Sequence, residues 1–410
     1  MNEYKIIKRI IDLIYYENKN LNDLINQYKE DENIVKIRYI VYDLLRYSIS
    51  IDYILSKLVR NIDYDVMGIL RIGIYELWLS KKPEYAIIND LVNLTKDIDE
   101  KKKSFVNAVL RNFQRSKEKF INDIDKEYSY KYNIPLWLLN YLKKEYKFNY
   151  LEIIKSFMYK PSFGIRNNNK KISYKEYLDI LDKNDIQYKE IDNKIVLDKA
   201  INVSHLPGFN DGLVSVQDIA AQYMLDILKK HKFEIKNVLD ICSAPGGKTC
   251  QLLENYDCNL TSVDIDENRL NKVKQNLERL ELKAETILGD ANNKRWWNNK
   301  NYDFIIADVP CSALGTIKRN PDIKITRRLE EINNFVQTQR SIVNNIWDLL
   351  DLNGYMIYIT CSIMKEENQL NVEWLSNNLN GFKVIDQLQI YPSENNDGLY
   401  YALIKKVVTI

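Results

Sequence analysis

Histidine is almost absent from this 410-residue chain, which has only His205 and His231. A Ser-His-Asp hydrolase would have to use one of them, and neither has a nucleophile motif beside it. Zinc chemistry is equally poorly supplied. The five cysteines include no C-x2–4-C pair, and Cys242, Cys250 and Cys258 recur at a spacing of eight, so no metal is expected. No apolar run approaches the ~20 residues that would span a bilayer. The opening MNEYKIIKRIIDLIYY mixes charges and tyrosines into its apolar positions and lacks the clean core of a secretory signal. An odd number of cysteines in a large chain fits a reducing cytoplasm with thiols free for chemistry. Finally, G-x-G-x-x-G is missing, which weakens any nicotinamide-dinucleotide reading.

What is present is an ordinary globular balance, 45% hydrophobic and 28% charged, in a chain long enough for two or three domains. The net charge of +2 does not point to a polyanion, but local clusters do. Residues 101–120 carry seven Lys/Arg against one Glu, residues 160–175 five against none, and residues 316–328 five against one Asp. Each could track phosphates or be a solvated face. Residues 1–125 place apolar residues at three- and four-residue spacing in five stretches, among them NIVKIRYIVYDLLRYSI and VMGILRIGIYELWLS, and predict a helical bundle. Residues 126–205 mix helix (IPLWLLNYLKKEY, SYKEYLDILDKN) and strand (FGIRNN, KIVL), a small α/β unit. From about 213 short β-rich runs alternate with helix candidates. That alternation predicts an open, mainly parallel sheet with helices on both faces, with ligands beyond the carboxyl ends of its strands.

Those strand ends carry the motifs. The first, VLDICSAPGGKT, runs through a turn of small residues, Cys242, Ser243, Ala244, Pro245, Gly246 and Gly247, into a helix beginning near Lys248. Small residues let a ligand approach the backbone, and a helix start offers free N–H donors. The ending GGKT imitates the phosphate-binding G-x-x-x-x-G-K-S/T, but the opening glycine of that pattern is replaced by Cys242, which disfavours a nucleotide hydrolase. The second strand ends on Asp264, about twenty residues on, where an acid can accept from both ribose hydroxyls. The third ends on Asp290, suited to an adenine edge. Together they predict a nucleoside cofactor, with S-adenosylmethionine favoured over NAD.

The fourth and fifth strands end in DVPCS and TCS, delivering Cys311 and Cys361 to the same edge. A lone buried cysteine is commonly inert; two at neighbouring strand ends, one preceded by Asp308, suggest a shared task. C5 of cytosine is a poor nucleophile until a thiolate adds to C6. Asp308 is placed to hydrogen-bond the N3/N4 edge of such a base. Spacing alone does not say which cysteine attacks.

The combination of CSAPGGKT (242–249), DVPCSALGTIKRNPDIK (308–324), TCS (360–362), LPGFNDGLVSVQDIAAQ (206–222) and DGLYYALIKK (397–406) resembles the Sun/RsmB-type RNA cytosine-5 methyltransferases. RIGIYELWLSKKPEYAIINDLVNLTK and FVNAVLRNF resemble the NusB-type helical RNA-binding domain. The resemblance implies a NusB-like bundle over 1–125, a small RNA-binding α/β unit over 126–205 and a Rossmann-like methyltransferase domain over 206–410. It further implies S-adenosylmethionine bound by Cys242 to Lys248, Asp264, Asp290 and Asp308, with Cys361 as nucleophile and Cys311 assisting product release. The implied partner is RNA, foremost 16S rRNA, for a cytoplasmic, monomeric enzyme. The same chemistry on tRNA or large-subunit rRNA, or a non-catalytic assembly factor, are the alternatives. Two departures stand out: Arg319-Asn320-Pro321 where the family has a basic residue, His and Pro, and Ala313-Leu314 near a customary glycine.

Overall fold

The computed structural model describes residues 3–60, 63–96 and 98–408, and these form two compact units. Asp97, within one of the predicted helical stretches, lies outside the described residues. Among the described residues no helix is long and apolar enough to cross a membrane.

The first unit takes residues 1–159 together with 317–329. Five of its helices follow the predicted stripes, Glu3–Glu17, Ile34–Arg46, Ser48–Leu58, Tyr64–Leu79 and Glu84–Thr95, and the long helix Lys103–Lys126 joins them. Tyr64–Leu79 is apolar on nearly every side and sits at the centre, as an all-round hydrophobic helix must. Gly73 lets the Lys103–Lys126 helix approach, since a Cβ there would lie 2.4 Å from a methyl of Leu110. Arg111, Arg115 and Lys119 leave an exposed basic stripe on that helix at four-residue spacing.

The segment Ile317–Leu329 is a surprise of tertiary structure. It falls within the predicted methyltransferase stretch in sequence, yet it packs in the helical unit. Asp322 accepts from the Leu21 N–H at 3.2 Å, and Lys324 Nζ donates to the Arg46 carbonyl at 2.6 Å. Lys318 and Lys324 are both buried, so this basic cluster is neither wholly a phosphate track nor a solvated face.

The second unit holds two sheets. Strands β1 (Phe163–Asn167), β2 (Tyr188–Ile191), β3 (Lys194–Leu197) and β4 (Val214–Val216) form an antiparallel sheet in the order β2-β3-β1-β4. The helix Tyr174–Lys183, opened by a Ser173/Glu176 capping box, contributes Tyr177 and Leu181 to its core.

The larger sheet comprises β5 (Asn237–Ile241), β6 (Asn259–Asp264), β7 (Glu285–Leu288), β8 (Tyr302–Asp308), β9 (Leu350–Thr360), β10 (Phe382–Ile390) and β11 (Leu399–Lys406). Its order is β10-β11-β9-β8-β5-β6-β7. The five strands from β9 to β7 are parallel, as predicted; β10 and β11 close one edge antiparallel, which the sequence reading did not anticipate. Alternate residues divide between two cores. Val238, Ile306 and Ile357 pack with the Ile219–His231, Gly247–Leu253 and Glu267–Leu280 helices, whereas Leu239, Ile305 and Tyr358 pack with Ile332–Trp347 and Gln369–Asn378. The helices therefore cover both faces. From β5 the chain builds outward through β6 and β7, then returns to place β8 on β5's other side, so the order reverses at the β5/β8 boundary.

Candidate active site

At that reversal the carboxyl ends of β5, β6 and β8 surround a cavity of about 410 Å³. Of the residues expected at a cofactor, Cys242, Ala244, Asp264, Asp290 and Asp308 line it, as do Cys311 and Cys361. Ser243, Pro245, Gly246, Gly247 and Lys248 do not. Ser243 is buried in the turn, its N–H on the Val263 carbonyl, while Pro245, Gly246 and Gly247 border a separate cavity of about 150 Å³. The turn itself needs unusual backbone. Cys242 has φ +53° and Gly246 φ +95°, so the cysteine that breaks the phosphate-loop pattern occupies a left-handed position glycine would favour.

The acids are held by backbone donors. Asp264 is buried; one carboxylate oxygen accepts from Ala244 N–H at 3.0 Å and the other from Asp266 N–H at 3.1 Å. Asp290 accepts from the N–H and the side-chain amide of Asn292. Arg269, not singled out in the sequence, lines the cavity and donates to the Ala244 carbonyl at 3.0 Å. A residue one turn into a charged helix gives no such signal in sequence.

The two cysteines meet as the parallel pairing of β8 and β9 requires. Asp308 lies opposite Ile359, so the turns after both strands emerge at one edge, and the sulfurs stand 3.4 Å apart. Gly315 locks the turns together: its N–H donates to the Cys361 carbonyl at 2.9 Å, and its carbonyl accepts from Gly398 N–H at 2.8 Å. A Cβ at Gly315 would fall 2.1 Å from the Gly398 oxygen, so no other residue fits. Ala313 has φ +59°, a left-handed position that glycine would favour.

The electrostatics distinguish the thiols. Lys248 Nζ pairs with Asp308 at 2.6 Å. Burial opposes the Lys248 charge, but Asp308, with help from the Cys361 sulfur, holds the ammonium above its ordinary range. Lys248 thus carries its charge within electrostatic reach of the Cys361 sulfur. The pairing with Asp308 also engages the lysine that a phosphate loop would need free. Cys311 is pushed well above the usual thiol range by its hydrogen bond with Cys361, by burial and by the charges of Cys361 and Glu367, and so remains a thiol. Burial likewise pushes Cys242 up to about 12, unsuited to nucleophilic work.

A parallel sheet with its order reversal beside paired thiols and an acid-lined cavity defines a Rossmann-like methyltransferase. The family model described as 16S rRNA methyltransferase RsmB/F matches residues 226–405, the NusB family 5–115, and the ferredoxin-like domain of RsmF/B-like methyltransferases 134–204. Ribosomal RNA small subunit methyltransferase B of Pasteurella multocida is 35% identical over 387 residues, covering 89% of this chain and 86% of the relative. Its namesake in Shewanella oneidensis is 37% identical over 369 residues, covering 86% and 85%. The PH0851 crystal structure shares the fold, with a TM-score of 0.77 over 99% of both chains at 22% identity. The chain belongs to the ribosomal RNA small subunit methyltransferase B family and is an RNA methyltransferase of the small ribosomal subunit.

Proposed function

We propose that the chain methylates C5 of a cytidine in 16S rRNA, using S-adenosylmethionine and a covalent bond from Cys361. The observation that carries this reading is the pair of sulfurs 3.4 Å apart on the wall of the acid-lined cavity. The cavity suits the donor: Asp264 offers acceptors for ribose hydroxyls, Asp290 for an exocyclic amine, and Ile265 and Ile342 apolar surface for a purine. Cys242 and Ala244 supply a wall of small residues, and Asp308 completes the set. When bound, S-adenosylmethionine supplies a methyl group made electrophilic by its sulfonium.

The protein's part is to make the base reactive. Its target must leave the stack, at a cost of a few kcal/mol that is smallest in a single strand or loop. Asp308 accepts a hydrogen bond from the N4 amine on the N3/N4 edge and fixes the ring. The Cys361 thiolate donates an electron pair to C6, and the ring electrons shift so that C5 becomes nucleophilic. Once C5 carries the methyl, a base takes up the C5 proton, and the electron pair released restores the C5–C6 double bond and expels the Cys361 thiolate. Cys311, held as a neutral thiol alongside, assists that expulsion. Lys248 keeps Asp308 oriented and balances negative charge on the attacking sulfur.

Protein-free 16S rRNA transcript, the purified enzyme and labelled donor test this directly, with bisulfite sequencing to map the product. Cys361→Ser should abolish turnover, and Cys311→Ala should accumulate a protein–RNA adduct that survives denaturing electrophoresis. Wild-type turnover by Cys361→Ser would refute the mechanism; a product on another base or another RNA would refute the substrate.

A further inference from the structure

Beneath the two cysteine turns lies a fully buried acid that the reaction as described does not use. Glu367 follows Cys361 by six residues, within the loop that leaves β9. One carboxylate oxygen accepts from the Ser312 N–H at 2.8 Å and from Gln339 Nε2 at 3.1 Å. The other accepts from the hydroxyls of Ser312 and Ser362. Ser312 is the residue after Cys311, and Ser362 the residue after Cys361. Gln339 Nε2 also reaches the carbonyl of Pro310, the residue before Cys311, at 3.1 Å. Tyr358, on β9, donates both to Gln339 Oε1 and to the Glu367 carbonyl.

We propose that Glu367 is a positioning residue that ties the two cysteine-bearing turns into one unit and so keeps both thiols in reach of a single base. This rests on the two-thiol reading above and adds the group that sets their separation. The chemistry supports it. A buried carboxylate is costly unless hydrogen bonds satisfy it. Here its four donors come from the two reactive turns and from the helix packed against one of them. Parallel strands fix only where each turn begins; the side chains that follow need their own connection. An apolar side chain at this position would remove all four of these hydrogen bonds and leave the Ser312–Ser362 hydroxyl contact and the Gln339 bond to the Pro310 carbonyl as weaker links between the turns. Burial outweighs the four hydrogen bonds and raises the Glu367 carboxyl above its ordinary range, and its charge in turn raises Cys311.

The test pairs kinetics with a probe of geometry that needs no catalysis. Phenylarsine oxide bridges two thiols only when they are close, and mass spectrometry of the full-length protein identifies a Cys311–Cys361 bridge. In Glu367→Ala, kcat should fall about 10- to 100-fold, the scale expected when reacting groups move by ~1 Å. KM for S-adenosylmethionine should stay unchanged and the arsenical bridge should form at least about tenfold more slowly, as loss of fixed proximity demands. Glu367→Gln, which keeps the shape and part of the hydrogen bonding, should recover part of both. If Glu367→Ala does not fold, the Ser312→Ala/Ser362→Ala double variant reads the same link from its other end. Wild-type kcat and bridging in the folded variants would overturn the proposal. The covalent reading fails separately, through an active Cys361→Ser, while the bridging assay still reports on the turns.

Discussion

Asp240, on β5 two residues before Cys242, gives a test whose size follows from its surroundings. The side chain is completely buried; one oxygen accepts from the Thr249 hydroxyl, and the other has no hydrogen-bond partner. Burial, with the nearby charges of Asp308 and Asp264, outweighs the Thr249 hydrogen bond and raises its pKa from the ordinary 3.8 to about 7. Because the folded value lies above the unfolded one, folding takes up a proton at intermediate pH. The stability this group contributes is therefore fully present below about pH 4 and is lost as pH rises through about 7. Each pH unit inside that window costs up to about 1.4 kcal/mol, and from pH 5 to pH 8 the sum is about 2.5 kcal/mol. Asp240→Asn cannot ionise and should show no such loss. The assay is urea unfolding of wild type and variant at several pH values, followed by fluorescence of the tryptophans in the methyltransferase unit. A constant offset between the two reflects the changed hydrogen bonding and is irrelevant; the pH-dependent part of their difference is the prediction. Parallel profiles between pH 5 and 8 would refute the claim that this buried acid is neutral in the folded protein.

Two further outcomes follow from the site. Ala313→Gly should raise stability by about 0.5 kcal/mol, because relief of the left-handed backbone exceeds the added freedom of the unfolded chain; Ala313→Val should do the reverse, and thermal unfolding distinguishes them. Asp264→Ala removes the acceptor for two backbone N–H groups and for the ribose it is assigned, so calorimetry should find S-adenosylmethionine binding about 10- to 100-fold weaker, as for loss of one to two charge-assisted hydrogen bonds. RNA affinity should be unaffected.

The order of elements, the parallel character of the central sheet and the placement of Asp264, Asp290 and Asp308 at strand ends around one cavity were legible in the chain because each rests on local chemistry. Apolar period distinguishes helix from strand, and a parallel sheet delivers consecutive strand ends to one edge. Cys311 and Cys361 could therefore be assigned to a common edge from the alternation alone. Their 3.4 Å separation could not, because it depends on Gly315 and Ser312 meeting the Cys361 carbonyl, Ser362 and Glu367 across about 50 residues of chain. Glu367 itself lies in the run KEEN, which reads like a solvated acidic patch, and only its burial reveals otherwise.

The charged residues divide in the same way. Lys318 and Lys324 sit in a basic run whose evident partner is phosphate, but they are enclosed in the helical unit, where Lys324 meets the Arg46 carbonyl. Arg166, in another basic run, is buried on Glu254 with bonds of 2.7 and 2.8 Å. Sequence states that a side chain carries charge; which partner neutralises it is decided by residues far away in the chain. By itself, then, the sequence determined the element types, the strand-end chemistry and the family. The tertiary structure decided how closely the two thiols approach, which basic residues face solvent and that Glu367 is buried between the two cysteine turns, since each depends on distances and burial that no local pattern encodes.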